Sequence, residues 1–194
     1  MAIEAVVACA ESEQAISRMD GFEARLRALF PAIGMLHPEG GSGDVSLAHV
    51  LQTAALALQA QAGCPVTFAR TTATIDPGVY QVVVEYSEEA VGRQAFEDAQ
   101  RLINAALGQG DFDAEAAIAN LRELDEDERL GPSTGAIVDA AVARDIPFRR
   151  LTRGSLVQFG WGSRQRRIQA AEVDSTSAVA ESIGQDKDLT KRLL

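Results

Sequence analysis

The chain has 194 residues, of which 46% are hydrophobic, and a formal net charge of -10. That length holds one ordinary domain, or a domain and a piece of another, and the apolar content is enough to fill a core, which excludes global disorder. The acidic balance argues against a general nucleic-acid or membrane-surface binder, which needs a basic face, and no run of about 18 apolar residues is present to span a bilayer.

The opening MAIEAVVACAESEQ carries Glu4 and lacks a basic leading region, so a secretory signal is not expected. Within it, residues 3–10 form a short apolar run that suits either a strand or the first turns of a helix; periodicity does not separate the two. Residues 21–30 place Phe22, Leu26, Leu29 and Phe30 on one helical face, and Pro31 stops them. A glycine-rich loop is expected over 38–45. The stretch 46–63 reads as a strong helix, with Ser46 as N-cap, an apolar stripe through Leu47, Val50, Leu51, Ala54, Ala55 and Leu58, and Gly63 closing its end. Residues 66–73 and 79–86 are rich in Val, Thr, Phe and Tyr around TIDPG, which predicts a β-hairpin. Helices are predicted over 88–108 and 111–130. The second of these holds eight acidic residues and two arginines, with Ala117, Ile118, Leu121 and Leu124 at helical spacing.

GPST at 131–134 marks a boundary, with Pro132 breaking the preceding helix and Ser133 or Thr134 able to cap the next. Beyond it the pattern predicts a helix over 134–146, strands over 147–151, 155–160 and 166–173, and helices over 175–183 and 186–194. Segment 144–167 holds seven arginines and one acid, so the charge sign reverses there. The fold expectation is α+β: residues 1–130 as one domain, a small sheet with a β-hairpin packed by helices, then residues 131–194 as the incomplete α/β beginning of another.

The two cysteines, Cys9 and Cys64, are isolated, which suits small buried side chains in a reducing cytoplasm. His49 is followed by Val50, Leu51, Gln52 and Thr53, so the local set for a helical zinc site is missing: Gln52 cannot act as a base and Thr53 is a poor ligand. No catalytic residue and no metal site is therefore expected. No GxSxG elbow and no phosphate loop occurs, and GWG at 160–162 reads as a turn. Arg149, Arg150, Arg153, Arg164, Arg166 and Arg167 are candidates for holding carboxylates or phosphates, and equally suit alternate outward positions on paired strands. Lys187 opens the last helix, where an ammonium group could reach a phosphate.

The runs CPVTFARTTATIDPGVYQVVVEYSEEAVGR (64–93) and LGPSTGAIVDAAVARDIPFRRLTRGSLVQFGWGSRQRRIQAAEVDSTSAVAESIGQDKDLTKRLL (130–194) resemble the bacterial cyanophycin synthetase family. The order of elements follows that family from about residue 21 to the end. The resemblance implies a non-ribosomal polymeriser of aspartate and arginine. An N-terminal domain precedes an ATP-grasp domain that adds aspartate and a Mur-ligase-like domain that adds arginine, both ligations using ATP and Mg. This chain resembles the N-terminal domain and the leading segment of the ATP-grasp domain, with no cofactor of its own.

Charge complementarity with such a polymer leads to the first reading, a non-catalytic polymer-binding scaffold in which Asp125, Glu126, Asp127 and Glu128 hold guanidinium groups and Arg149, Arg150, Arg153, Arg166 and Arg167 hold carboxylates. Lys187 would be an ATP-phosphate contact in the complete enzyme. Two other readings stay open: a working part of an ATP-dependent acid–amino-acid ligase completed by a further domain, and a degenerate zinc metallopeptidase-like domain. Many relatives carry HxxEH where this chain has HVLQT, and in some of them that site resembles a peptidase that cuts polymer into primers; only His49 remains of it here, so no primer-making hydrolysis is expected. Relatives also begin with an RGPN-like stretch. A sheet edge left open without it invites association, and a homo-oligomer is expected.

Overall fold

The computed structural model describes residues 1–37, 44–170 and 172–193. Two compact units divide the chain, Met1–Glu128 and Arg129–Leu194.

In the first unit the ambiguous N-terminal run is a strand, β1 (Ala2–Ala8), whose residues alternate between exposed and half-buried. That two-residue alternation is the signature of a sheet with one covered face. β2 (Ala69–Ala73) and β3 (Val79–Glu85) form the expected hairpin, and the three strands are antiparallel in the order β1-β3-β2. The pairs Ile3–Val84 and Ala5–Val82 set the covered face, on which Val82 and Val84 are buried.

β2 is shorter than the predicted 66–73. The N–H groups of Thr67 and Phe68 donate to the Glu85 carboxylate at 2.7 and 2.8 Å, so a side chain takes donors that a longer ladder would use. In the turn, Gly78 has φ 77°, and a β-carbon there would sit 2.9 Å from the Cys9 carbonyl oxygen.

Among the described residues this unit adds the α-helices α1 (Phe22–Leu29), α2 (Leu47–Ala62), α3 (Glu89–Ala106) and α4 (Ala114–Glu128), with 3-10 turns at Glu11–Glu13, Ile16–Arg18 and Pro31–Ile33. α2 packs on β2, β3, α3 and α4, while α1 packs on α3. Phe22, Leu26, Phe30, Leu58, Leu102 and Leu121 are among its fully buried side chains. The predicted glycine-rich loop falls on 38–45, of which 38–43 lie outside the described residues.

The second unit begins with α5 (Pro132–Val142). Pro132 does not stand before this helix but opens it, with Gly131 as N-cap. A first-turn N–H needs no helical partner, so proline fits there without loss. Ser133 and Thr134, the expected caps, both lie within the helix, and Thr134 is buried there.

β4 (Phe148–Arg150), β5 (Leu156–Phe159), β6 (Arg166–Gln169) and β7 (Glu172–Val173) form an antiparallel sheet in chain order. The predicted strand over 166–173 is therefore two short strands. Ala170 takes φ 54° where they fold back on each other, and Ala171 lies outside the described residues. α6 (Ala178–Gln185) and α7 (Lys187–Leu193) follow, and Leu194, the end of the last predicted helix, lies outside the described residues. The core of this unit is small: Val138, Val157 and Ile168, with Leu130, Phe148 and Phe159 against them. The α+β reading holds, with both sheets antiparallel and small.

Candidate functional site

The Arg-rich strands of the second unit gain order from their register. Phe148–Phe159–Arg166 is one row across the sheet, Arg149–Gln158–Arg167 the next, and Arg150–Val157–Ile168 the third. Since neighbouring rows face opposite sides, Arg149, Gln158 and Arg167 share the face away from Val157 and Ile168. Strands lie about 4.8 Å apart, so the two arginines are about 10 Å apart along the row with the Gln158 amide between them. Both are exposed.

The remaining arginines are dispersed. Arg150 lies on the core side, and its guanidinium closes the following turn by donating to the carbonyls of Gly154, at 3.0 Å, and Arg153. Arg153 stands in that turn, Arg164 in a 3-10 turn at Gly162–Arg164, and Arg166 donates to the Gln165 carbonyl at 3.0 Å. Gln158 joins the row only through strand register, which composition does not reveal.

The run of four acids is split by the helix that carries it. Ala117 and Leu121 are buried, and the same face continues to Asp125 and Glu128, both half-buried. Asp125 accepts from the Ser87 hydroxyl at 3.3 Å and from the Cys64 thiol at 3.8 Å. Glu126 and Asp127 lie on the exposed side. Burial, aided by the Asp125 charge, pushes the Cys64 thiol up, so it remains neutral at ordinary pH.

His49 is the third residue of α2 and serves that helix's start. Its Nδ1 accepts from the Ser46 N–H at 3.3 Å and lies 2.8 Å from the Ser46 hydroxyl, while its ring meets Tyr80 edge-on at 5.6 Å. Burial lowers its pKa from 6.5. The Thr53 hydroxyl donates back to the His49 carbonyl at 2.9 Å, and Gln52 Oε1 is buried with no partner among the described residues. One imidazole whose Nδ1 is engaged at the helix start, followed by Gln52 and Thr53, does not supply the three protein ligands that a zinc site needs. Among the described residues no group of three or more His, Cys, Asp or Glu side chains is arranged to hold a metal.

Lys187 is exposed in the first turn of α7, in an open depression that also holds Asp186 and Asp188. Asp186 caps that turn by accepting from the N–H groups of Asp188 and Leu189 at 3.0 and 2.9 Å. One ammonium between two carboxylates does not by itself fit a triphosphate and its Mg.

Cys9 and Cys64 are both buried and free. The Cys9 thiol lies against the Ser46 hydroxyl and the Ala48 N–H at the start of α2. Sequence reasoning missed Glu13, Gln100 and Asn104, which meet beside this cysteine around a cleft. The short apolar run over 3–10 gives no local sign of which side chains face inward; the burial alternation of β1 places Val7 on the covered side. No helix among the described residues is long and apolar enough to cross a membrane.

Comparison with known proteins gives a consistent picture. The chain is 40% identical over 151 residues to cyanophycin synthetase of Trichormus variabilis and equally to that of Nostoc sp., and 38% identical to that of Geminocystis herdmanii. Each match covers 76% of this chain and 17% of the relative, so the chain corresponds to less than a fifth of the length of these relatives. The family model described as "Cyanophycin synthase-like N-terminal domain" matches residues 5–108. That match runs from within β1 through β2, β3 and helices α1 to α3, and the chain belongs to the cyanophycin synthase-like N-terminal domain family.

Proposed function

We propose that this chain is a polymer-anchoring platform for the synthesis of an Asp/Arg polymer, without ligase chemistry of its own. The observation that carries the reading is the division of charge between the units. Met1–Glu128 holds seven basic and 21 acidic residues, whereas Arg129–Leu194 holds 11 basic and seven acidic. A polymer bearing guanidinium and carboxylate groups finds an opposite charge on each. Glu126 and Asp127 offer exposed carboxylates to arginines, and the Arg149–Gln158–Arg167 row offers two guanidinium groups to carboxylates. Exposed pairs of this kind are individually weak, about 0–1 kcal/mol, so useful affinity arises from many engagements along one polymer.

In this reading residues 131–194 lead into an ATP-grasp body, and Lys187 contacts phosphate only with groups supplied by that body. The remaining ATP-grasp and Mur-ligase-like domains perform the ATP- and Mg-dependent ligations. The assembly is a cytoplasmic homo-oligomer.

Fluorescence anisotropy of labelled soluble polymer tests the anchoring role. Binding is expected at low salt, falling steeply as salt rises, and the double change Arg149→Ala with Arg167→Ala is expected to weaken it about tenfold. Absence of binding at low salt would sink the reading. Aspartate-dependent ATP consumption by the purified chain would instead favour the ligase alternative.

A further inference from the structure

At the end of β1 the sheet runs out between the first turns of α2 and the last turns of α3, leaving a cleft of about 260 Å³. Its walls are apolar: Val7, Leu47, Leu51 and Ile103. The charged and amide residues among its lining are Glu13, Gln100 and Asn104. Pockets for drug-sized ligands run to about 300–1,000 Å³, so this smaller cleft suits one side chain and not a whole nucleotide.

The carboxylate is held in place. Glu13 Oε2 accepts from the Ala10 N–H at 2.8 Å, which orients the group and leaves its second oxygen outside that bond. The amides of Gln100 and Asn104 enter no side-chain hydrogen bond among the described residues, and both residues are exposed. Cys9 adds a buried thiol, kept neutral by its burial.

These groups select a chemistry. A guanidinium carries five N–H donors and no acceptor, and the cleft offers a carboxylate and two amide oxygens. Its alkyl stem can lie along the apolar walls while the planar head meets the polar end. A carboxylate guest would meet the charge of Glu13 unfavourably. The excess of acidic residues in Met1–Glu128 raises the local concentration of cationic groups further.

We propose that this cleft is a receptor for a single guanidinium side chain. Resting on the anchoring reading above, its natural guest is an arginine of the Asp/Arg polymer. The cleft then fixes one arginine of a chain whose other contacts are exposed and exchangeable.

The test is methyl-resolved NMR of the full chain titrated with Nα-acetyl-arginine amide. Shifts are expected at the methyls of Val7, Leu47, Leu51 and Ile103, with weaker binding of Nα-acetyl-lysine amide and none of Nα-acetyl-aspartate amide. Glu13→Gln keeps a carbonyl acceptor for the Ala10 N–H and removes the charge, and is expected to weaken arginine-amide binding about tenfold, the loss of one charge-assisted bond. Asn104→Ala, at an exposed helix position, is expected to weaken it less and gives a second check independent of the Ala10 contact. Shifts centred elsewhere, or equal affinity in Glu13→Gln and Asn104→Ala, would overturn the proposal. Polymer that binds wild type and both variants alike removes this site and leaves the anchoring reading standing. Arginine amide bound in the cleft with no binding of polymer removes the anchoring reading and leaves the site.

Discussion

His49 shows how one residue can change its task while keeping its place. As the third residue of α2 it reaches back to the Ser46 N–H, the role that glutamate or glutamine fills in a capping box. Only a deprotonated Nδ1 can accept that bond, and a positive charge near a helix N-terminus is unfavourable. Its pKa is lowered from 6.5 in the fold by burial, so the unfolded chain takes up the proton more readily. The stability His49 contributes is therefore complete above pH 6.5 and drains away as the pH falls through the lower, folded value. His49→Gln retains an acceptor and cannot titrate. Urea unfolding midpoints of this variant are expected to fall less than those of the wild type between pH 7 and pH 5, about the range in which a histidine titrates. An unchanged slope would show that other groups carry it.

At the scale of elements, α3 lies close against the end of β3 and against β1 at Gly92. Gly92 is buried in α3, and a β-carbon there would lie 2.6 Å from Tyr86 Cβ and 3.2 Å from Ile3 Cδ1. Alanine is the better helix former by about 1 kcal/mol. The atom it meets is fixed close to the Tyr86 backbone, however, and cannot swing away as the far end of a long side chain would. Overpacking costs about 1–3 kcal/mol, so Gly92→Ala is expected to destabilise the unit on balance. Chemical denaturation monitored by circular dichroism checks the sign, and a rise in the midpoint would mean that α3 shifts freely on the sheet. α4 makes the complementary point. Its four consecutive acids look like one patch in the sequence, and the helical repeat turns Asp125 toward Ser87 and Cys64 while Glu126 and Asp127 stay in water.

The whole molecule is unevenly endowed. The core of Met1–Glu128 runs through all its long helices and its sheet, whereas Arg129–Leu194 gathers its buried apolar side chains around Val138, Val157 and Ile168. Domains with so little buried apolar surface are marginal. Trp161 is the single tryptophan and lies in the second unit, so its fluorescence reports that unit, while far-ultraviolet circular dichroism is dominated by the helices of the first. Thermal unfolding is expected to show the fluorescence transition ahead of the dichroism transition. Val157→Ala is expected to lower the first by a few °C, for about 1–2 kcal/mol of lost packing, and leave the second unmoved. Coincident transitions would show that the units unfold as one.

The sequence by itself determined the elements that carry a strong period or strong turn chemistry. The stripe of α2, its glycine stop and the hairpin around TIDPG are set by contacts within a few residues, so a one-dimensional pattern records them. It also fixed the reversal of charge between the two parts of the chain. It did not determine whether residues 3–10 were strand or helix, because a short apolar run satisfies either until a partner strand supplies its hydrogen bonds. Nor did it show that Pro132 opens a helix, that residues 166–173 fold back on themselves, or that Arg149 and Arg167 share a face while Arg150 is spent on a turn. Cross-strand register decides those, and register is a long-range property. The cleft at Glu13 is the extreme case: β1, α2, α3 and a 3-10 turn meet there from four places in the chain. Only tertiary packing brings such distant groups within reach of one ligand.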